Sequence, residues 1–236
     1  MSTPELRNAA ALCSLWSRRR DAELEAELRF RRLAMRLAAV GAIDEVVALA
    51  REASEEEAHH ALVCARTAQS FGPTPDAEKP HLQEVGPAEL DLRDRVLFET
   101  AAFCCVTETI DGALLEASLA RATHPGVREA LEVLLRDERD HSRLGWLHLA
   151  AERAAGRGAF LEAHLPAILD GTVHEELFAP LSLPEEEDSL ARLGLLPGGT
   201  RLAVLRATLT EVVLPGFERA GVGSGPARQW LAALGA

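Results

Sequence analysis

The chain has 236 residues, enough for one domain with a well-buried core and too few for two comfortable ones. Its formal net charge of -12 argues against a phosphate-binding surface, because nucleic-acid affinity comes largely from Lys and Arg, and we expect no nucleic-acid partner. Leu, Ala, Arg and Glu dominate while strand-type alternation is nearly absent, so the sequence predicts an all-α fold class.

Two long helices are predicted in the first third of the chain. The first begins at Thr3-Pro4-Glu5, where a capping hydroxyl precedes a proline at the first helical position, and runs to Val40-Gly41. A break near Arg18 to Asp21 is expected, and the arginines at positions 18–20, 29, 31 and 32 are interpreted as a solvated helix face. The second helix runs from about Ile43 to Ser70 and ends at the Gly-Pro-Thr-Pro sequence 72–75.

A polar, proline-containing stretch then extends to about Pro87. It is long for a loop, as a crossover between two helix pairs would be. The third and fourth helices are predicted at about 92–122 and 127–155. Beyond Gly156 the pattern weakens into a segment with Pro166 and Gly171, an acidic loop at 184–188, a helix from Thr200 to Arg219 and a short one after Pro226.

This organisation predicts a helical bundle over residues 1–156, including an N-terminal lead-in segment. Residues 157–236 are expected to form a C-terminal helical extension that packs on the bundle. No signal peptide is evident and no apolar run approaches the roughly 20 residues of a spanning helix. We therefore expect no membrane partner and a cytoplasmic location.

The pattern Glu-x-x-His occurs twice, as Glu57 with His60 and as Glu138 with His141. A further Glu lies on the preceding helix in each case: Glu108 before the second copy, and Glu23 or Glu27 before the first. Two such motifs with one additional Glu each are the ligand set of a carboxylate-bridged dinuclear metal site. Glu and His donors favour iron or manganese over zinc. Two ions of this kind are expected, either iron, manganese or a mixed manganese–iron pair.

Turn symmetry supports the same site. Residues equidistant from the turn of an antiparallel hairpin lie at the same height. Glu23 and the first motif centre near Gly41, while Glu108 and the second motif centre near Pro125. Both hairpins would therefore deliver their ligands to the middle of a bundle. Burying these carboxylates together without a counter-charge is costly, and two divalent cations would provide that charge.

Three further acids flank the motifs. Glu56 and Asp137 each precede a motif Glu, and a ligating His usually donates its second ring N–H to such an acceptor. Asp137 would then orient His60 and Glu56 would orient His141; alternatively, both are exposed acids on a charged helix. Asp111, one turn after Glu108, is interpreted as an acid that supports the ligands, with an additional ligand as the alternative.

A family resemblance rests on these same residues. It is carried by Glu23 seven before Phe30, by Glu57-x-x-His60-x-x-x-Cys64, by Cys105-Val106-x-Glu108-Thr109 and by Asp137-Glu138-x-x-His141. Residues 15–150 resemble the ferritin-like, rubrerythrin-related superfamily. The resemblance implies a four-helix bundle that binds two iron ions, and it favours Glu23 over Glu27. The chain departs from many members at His59 and Asp140, where those members carry Arg.

Three functions are compatible with such a site. The favoured one is an enzyme, a di-iron oxidase or oxygenase that uses O2 to oxidise a small organic substrate with electrons from an external donor. The alternative is a ferroxidase, iron-handling or peroxide-detoxifying protein, and the third is a non-catalytic scaffold. The chain has no C-x-x-C pair and no Tyr, which disfavours a built-in rubredoxin-type centre and excludes a stored tyrosyl radical. A homodimer is an assembly that the sequence allows.

Overall fold

The computed structural model describes residues 4–172 and 191–233, and within these ranges the chain is helical and contains no strand. The predicted acidic loop at 184–188 lies outside the described residues. The all-α prediction is confirmed. The helices of the described part are α1 (Pro4–Ala39), α2 (Asp44–Phe71), α3 (92–121), α4 (Pro125–Ala154), α5 (Leu161–Thr172), α6 (198–219) and α7 (Gly225–Ala233). None of them is long and apolar enough to cross a membrane.

Helix α1 is continuous, so the predicted break near Arg18 to Asp21 is wrong. The charged side chains of this segment form hydrogen bonds without any break in the helix. Arg20 is buried and donates hydrogen bonds to the backbone carbonyls of Pro75, at 2.9 Å, and Asp76, at 3.2 Å. Arg18 donates to the Ser14 hydroxyl one turn earlier, at 2.9 Å. The segment contains neither Gly nor Pro, so no residue in it interrupts the backbone hydrogen bonds of the helix.

The arginine cluster of α1 is only in part the solvated face that the composition suggested: Arg18 and Arg31 are exposed, whereas other arginines face a buried glutamate. Glu99 of α3 is only 1% exposed and lies among Arg29, Arg32 and Arg36, with shortest N–O distances of 3.7, 2.5 and 3.1 Å. Arg32 and Arg36 also pair with Glu84. This arginine–glutamate network joins α1 to α3 and to the connection between α2 and α3.

Helices α1 and α2 form a hairpin around Gly41, whose φ of +66° suits a residue without a Cβ. The connection that follows α2 then runs along the length of α1. Its early residues receive the Arg20 hydrogen bonds and its later residue Glu84 pairs with Arg36. Helix α3 begins after Asp91, whose carboxylate accepts a hydrogen bond from the Asp94 N–H. Because the connection has by then returned to the Gly41 end of α1, α2 and α3 start at the same end of the bundle.

The four longest helices contact one another in a closed ring, α1 against α2, α2 against α4, α4 against α3 and α3 against α1. Two apolar clusters fill the space between them. One includes Phe30, Ala53 and Leu144, and the other includes Cys64 and Leu134. A layer of polar side chains separates the two clusters, since Glu57 and His60 lie between Ala53 and Cys64 in α2.

The C-terminal helices share a third apolar cluster with α3 and α4. Leu165 of α5 and Phe217 of α6 pack with Leu97 and Leu149. Helix α6 changes from α to π geometry at Leu209–Val213, a stretch that ends two residues before Pro215, whose ring cannot continue the regular hydrogen-bond pattern. The described C-terminal helices thus pack against α3 and α4.

Candidate metal centre

The six predicted ligands come from four helices and meet in the polar layer between the two apolar clusters. None of the six is more than 6% exposed. They are Glu23 from α1, Glu57 and His60 from α2, Glu108 from α3, and Glu138 and His141 from α4. Spacing explains this locally, because a Glu and a His three residues apart share one face of a helix.

The donor atoms form two groups that share Glu57. In the first group Glu23, Glu57 and His60 each offer one atom, and these atoms lie within 4.8 Å of one another. The second group combines Glu57 with the remaining three residues, Glu108, Glu138 and His141, under the same limit. Either group could hold a metal ion. A carboxylate common to both is the arrangement by which one side chain bridges two ions.

Helix α3 reaches the site through a stretch of π-helix that the sequence reasoning missed. The π geometry covers Ala101–Thr107 and ends directly before Glu108. The Thr107 hydroxyl donates a hydrogen bond to the Ala102 carbonyl five residues back, at 3.2 Å, which fits the wider turn. Such stretches often occur at functional sites, and this one sets the direction in which Glu108 points.

Gly145 of α4 allows the two helices to approach at this level. A Cβ at that position would lie 2.7 Å from the Cys104 Cβ and 2.8 Å from the Cys105 backbone nitrogen. Any side chain would therefore push α4 away from the π-helical stretch. Gly145 follows His141 by one turn, and a glycine on a buried ligand face is the signal by which the sequence could have indicated a close helix contact.

Both histidines point one ring nitrogen inward and the other towards an acid. In His60, Nδ1 lies 3.2 Å from Glu57 Oε2 while Nε2 lies 3.1 Å from Asp137 Oδ2. In His141, Nε2 lies 3.0 Å from Glu56 Oε2. Each acid therefore pairs with the histidine of the other motif. An N–H donated to the acid leaves Nδ1 as the donor atom that faces the carboxylates.

Asp111 joins neither group of donor atoms. Its carboxylate pairs with Arg19, at 3.3 Å between Oδ1 and Nη2, and the Arg19 Nε lies 3.6 Å from Glu23 Oε1. Sequence reasoning missed Arg19, although its spacing of four residues from Glu23 is that of a helical ion pair. Glu27, the other candidate on α1, pairs with Arg31 at 3.1 Å.

The carboxylates of the site differ in their affinity for protons. Burial and the neighbouring Glu57 carboxylate raise the pKa of Glu23, while burial and the Glu138 carboxylate raise the pKa of Glu108. Burial also opposes the ionisation of Glu57, but its contacts with the His141 and His60 rings outweigh that effect and lower the pKa of Glu57 to about 2. In the metal-free site, bound protons therefore neutralise part of the negative charge of the carboxylates.

The two histidines of the site also bind protons more tightly than free imidazole does. Burial lowers the pKa of an imidazole, but the contacts of His141 with Glu138 and Glu56 and those of His60 with Glu57 and Asp137 dominate, so both pKa values are raised. Metal ions that bind to Nδ1 and to the carboxylates would displace these protons.

Two buried atoms in the centre lack a hydrogen-bond partner, which tests whether the residues fit a metal. Glu138 Oε2 and His141 Nδ1 are both buried without a hydrogen bond, and they lie 3.4 Å apart. Unsatisfied buried polar atoms are rare in folded proteins. A cation bound by both atoms would satisfy them, and a set of four carboxylates and two imidazoles suits iron or manganese.

Other polar residues that the sequence placed near the motifs have different surroundings. His59 is exposed. His148 is buried with its Nε2 unpartnered, and burial lowers its pKa to about 4, so it is a neutral imidazole outside both groups. The Cys64 thiol lies 4.0 Å from Glu23 Oε1, and burial raises its pKa, which makes it an unreactive neighbour of the site.

No family model matches the chain, no curated protein matches it, and no solved structure matches it. What the protein does is therefore inferred from its own residues and their geometry.

Proposed function

We propose that the protein is a ferritin-like di-iron carboxylate enzyme, an oxidase or oxygenase that uses O2 to oxidise a small organic substrate. The observation that carries the proposal is the pair of buried donor groups that share Glu57. Glu23 and His60 would hold one ion, Glu108, Glu138 and His141 the other, and Glu57 would contact both. When bound, two adjacent redox-active ions would pass electrons from an external donor to O2, since both can change oxidation state.

The chain's own residues prepare the site for this chemistry. Asp137 and Glu56 hold the two imidazole rings by their outer nitrogens. On one side of the centre, Phe30 packs against His141 with the rings tilted and their centroids 5.1 Å apart, and on the other side Leu134 and Cys64 belong to the second apolar cluster. These apolar walls exclude bulk water, which strengthens electrostatic interactions inside the site.

Electrons must come from outside the chain. In an oxygenation, one atom of O2 enters the substrate and the other leaves as water, which consumes two electrons and two protons from an external reductant. The chain carries neither a Tyr to store an oxidising equivalent nor a C-x-x-C pair to hold a second iron centre. A separate redox protein is the class of donor that fits.

Metal analysis tests the site. Protein produced with iron supplementation and purified without chelators should contain about two iron or manganese ions per chain. Glu57→Ala should lose most of the metal at both positions because both groups share this side chain. Glu55→Ala, an exposed residue of the same helix, is the matched control and should keep it. A metal-free wild-type protein would overturn the proposal.

Oxygen consumption tests the reaction. With a chemical reductant and an organic substrate screen, the iron-loaded protein should consume O2 and form an oxidised product in a Glu57-dependent manner. O2 consumption that follows the amount of added Fe(II), with no organic product, would instead establish the ferroxidase alternative. In that reaction two Fe(II) ions give two electrons to O2, which takes up two protons to form hydrogen peroxide.

A further inference from the structure

The edge of the metal centre between α1 and α3 is closed by one ion pair. Arg19 precedes Glu23 by one turn of α1, and Asp111 follows Glu108 by one turn of α3. Their side chains meet at 3.3 Å, and the same guanidinium lies 3.6 Å from Glu23. Arg19 therefore contacts a carboxylate of the centre on its inner side and a carboxylate of the surface on its outer side.

Exposure falls steeply across this pair. The Asp111 side chain is 36% exposed and the Arg19 side chain 25%, whereas the Glu23 side chain behind them is 8% exposed. Glu57, the next carboxylate inward, is 1% exposed. The three steps from solvent to the shared ligand are thus Asp111 with Arg19, then Glu23, then Glu57.

The opposite edge of the centre offers no such direct route. Glu56 is also partly exposed there, but the His141 ring lies between it and Glu57, with contacts of 3.0 and 3.2 Å at its two nitrogens. The His60 ring lies in the same way between Asp137 and Glu57. A cation that entered from this side would have to displace a ring that is itself a candidate ligand.

Opening the Arg19 side requires the movement of one side chain. Partly exposed ion pairs are weak, so the Arg19–Asp111 contact is easily broken. The guanidinium carbon already lies 6.0 Å from the centre of the Trp16 ring, one turn back along α1, within the range of a cation–π contact. Moving Arg19 away uncovers Glu23 and Asp111 together, while Arg19 in place puts a positive charge in the path of a cation.

We propose that Arg19, paired with Asp111, is the gate that controls the entry of divalent cations to the buried carboxylates. The inference rests on the proposed metal centre and adds the route by which it is loaded. Arg19 acts through Glu23 and Asp111 and is a positioning residue. Its removal changes the rate of loading and leaves the number of bound ions the same.

Stopped-flow mixing of the metal-free, full-length protein with Co(II) tests the gate, because Co(II) bound by carboxylate and imidazole has visible absorption bands. At low salt, Arg19→Gln should bind Co(II) about tenfold faster than wild type, since one unit of positive charge no longer opposes a divalent ion a few ångströms away. The difference should shrink at high salt, where charge is screened. Arg19→Lys, which keeps the charge, should load at close to the wild-type rate.

Arg18→Gln is the matched control. It removes the same charge from the adjacent, exposed position, where Arg18 bonds to Ser14, and should load like wild type. Equal loading rates for Arg19→Gln and Arg18→Gln, with the full number of ions bound, would overturn the gate and leave the metal centre standing. Failure of the wild-type protein to bind Co(II) would overturn the proposed function and the gate with it.

Discussion

Glu57 holds a position that none of the other candidate ligands shares, because its two oxygens face the two histidines. Oε2 lies 3.2 Å from His60 Nδ1 and Oε1 lies 3.2 Å from His141 Nδ1. These contacts keep Glu57 ionised even though it is buried, with a pKa of about 2. A carboxylate that is fully ionised between two sets of donors is suited to bridge two cations without first losing a proton.

The acids behind the histidines should matter for affinity more than for the number of ions bound. Asp137→Asn and Glu56→Gln replace the charged carboxylate that accepts a ring N–H with a neutral amide oxygen, so the imidazole is held less firmly and becomes a weaker donor. Each substitution is expected to lower metal affinity about 10- to 100-fold. Competition with a metal chelator measures this, and Glu55→Gln serves as the exposed control. Unchanged affinity in both variants would contradict the proposed role of the acids.

The metal-free protein should lose stability as the pH rises. Glu23, Glu108, His60 and His141 all have raised pKa values in the folded state, so the folded protein binds more protons than the unfolded chain above their ordinary pKa values. The free energy of unfolding therefore falls with increasing pH. Thermal melts of chelator-treated protein between about pH 7 and pH 8 should show a decreasing Tm.

Below about pH 8 this window reports mainly on the metal centre, because the buried thiols of Cys64, Cys104 and Cys105, whose pKa values burial also raises, lower stability only as free thiols begin to ionise near pH 8.5. His148, with a pKa lowered to about 4, and Glu57, with a pKa of about 2, affect stability only below their ordinary pKa values, where acidification removes the stability that they provide. Metal-loaded protein is the control, because bound ions replace the protons and remove the alkaline loss. A Tm of the metal-free protein that rises or stays constant over the window would refute the prediction.

At the scale of the helices, the site depends on an irregular element. The π-helical stretch of α3 places Cys104, Cys105 and Glu108 against α4, and Gly145 provides the space for it. A regular α-helix over the same residues would rotate Glu108 relative to the residues before the stretch. The close approach of α3 and α4 is therefore part of how Glu108 reaches the centre.

Gly145→Ala tests this contact. The added methyl would lie under 3.0 Å from the backbone and side chains of the π-helical stretch, so α3 and α4 must separate. We expect a loss of roughly 1–3 kcal/mol in the free energy of unfolding, together with weaker metal binding at the ion that Glu108 contacts.

Gly171→Ala in α5 is the matched control for this substitution, since a Cβ there meets nothing within 4 Å. It should be neutral or stabilising by about 0.5–1 kcal/mol, because Ala is the better helix former. Urea denaturation and metal titration of both variants measure the difference. Equal behaviour of the two variants would show that the close approach at Gly145 is unimportant.

At the scale of the whole molecule, the arginine–glutamate network holds the hairpin of α1 and α2 against α3. Glu99 is buried beneath three arginines of α1, and two of these also hold Glu84 in the connection between α2 and α3. The network lies towards the end of α1 that is distant from Arg19. It fixes the heights of α1 and α3 relative to one another, and hence those of Glu23 and Glu108.

Glu99→Ala should destabilise the protein by about 3–5 kcal/mol, because it leaves several guanidinium groups without their buried partner. Glu84→Ala removes a carboxylate that is 52% exposed, and its effect should stay within about 1 kcal/mol. Urea denaturation provides the comparison. A loss below about 1 kcal/mol for Glu99→Ala would show that the network is dispensable for stability.

The sequence alone determined the helices and the residues that meet at the centre. Helix bounds followed from apolar periodicity and from glycine and proline positions, which are local properties. The ligand positions followed from the spacing of Glu57 with His60 and of Glu138 with His141 within one helix face, and from the symmetry of two hairpins about their turns. Both are consequences of regular helical geometry, which a sequence encodes directly.

Only the tertiary structure decided which side chain contacts which across helices. The arginines of α1 looked like a solvated face because their partners, Glu99 and Glu84, lie about fifty residues or more away in sequence. The π-helical stretch and the Arg19–Asp111 pair were likewise invisible. Both arise where α3 packs against its neighbours, and packing between distant segments depends on the positions of all of them at once, which no local pattern specifies.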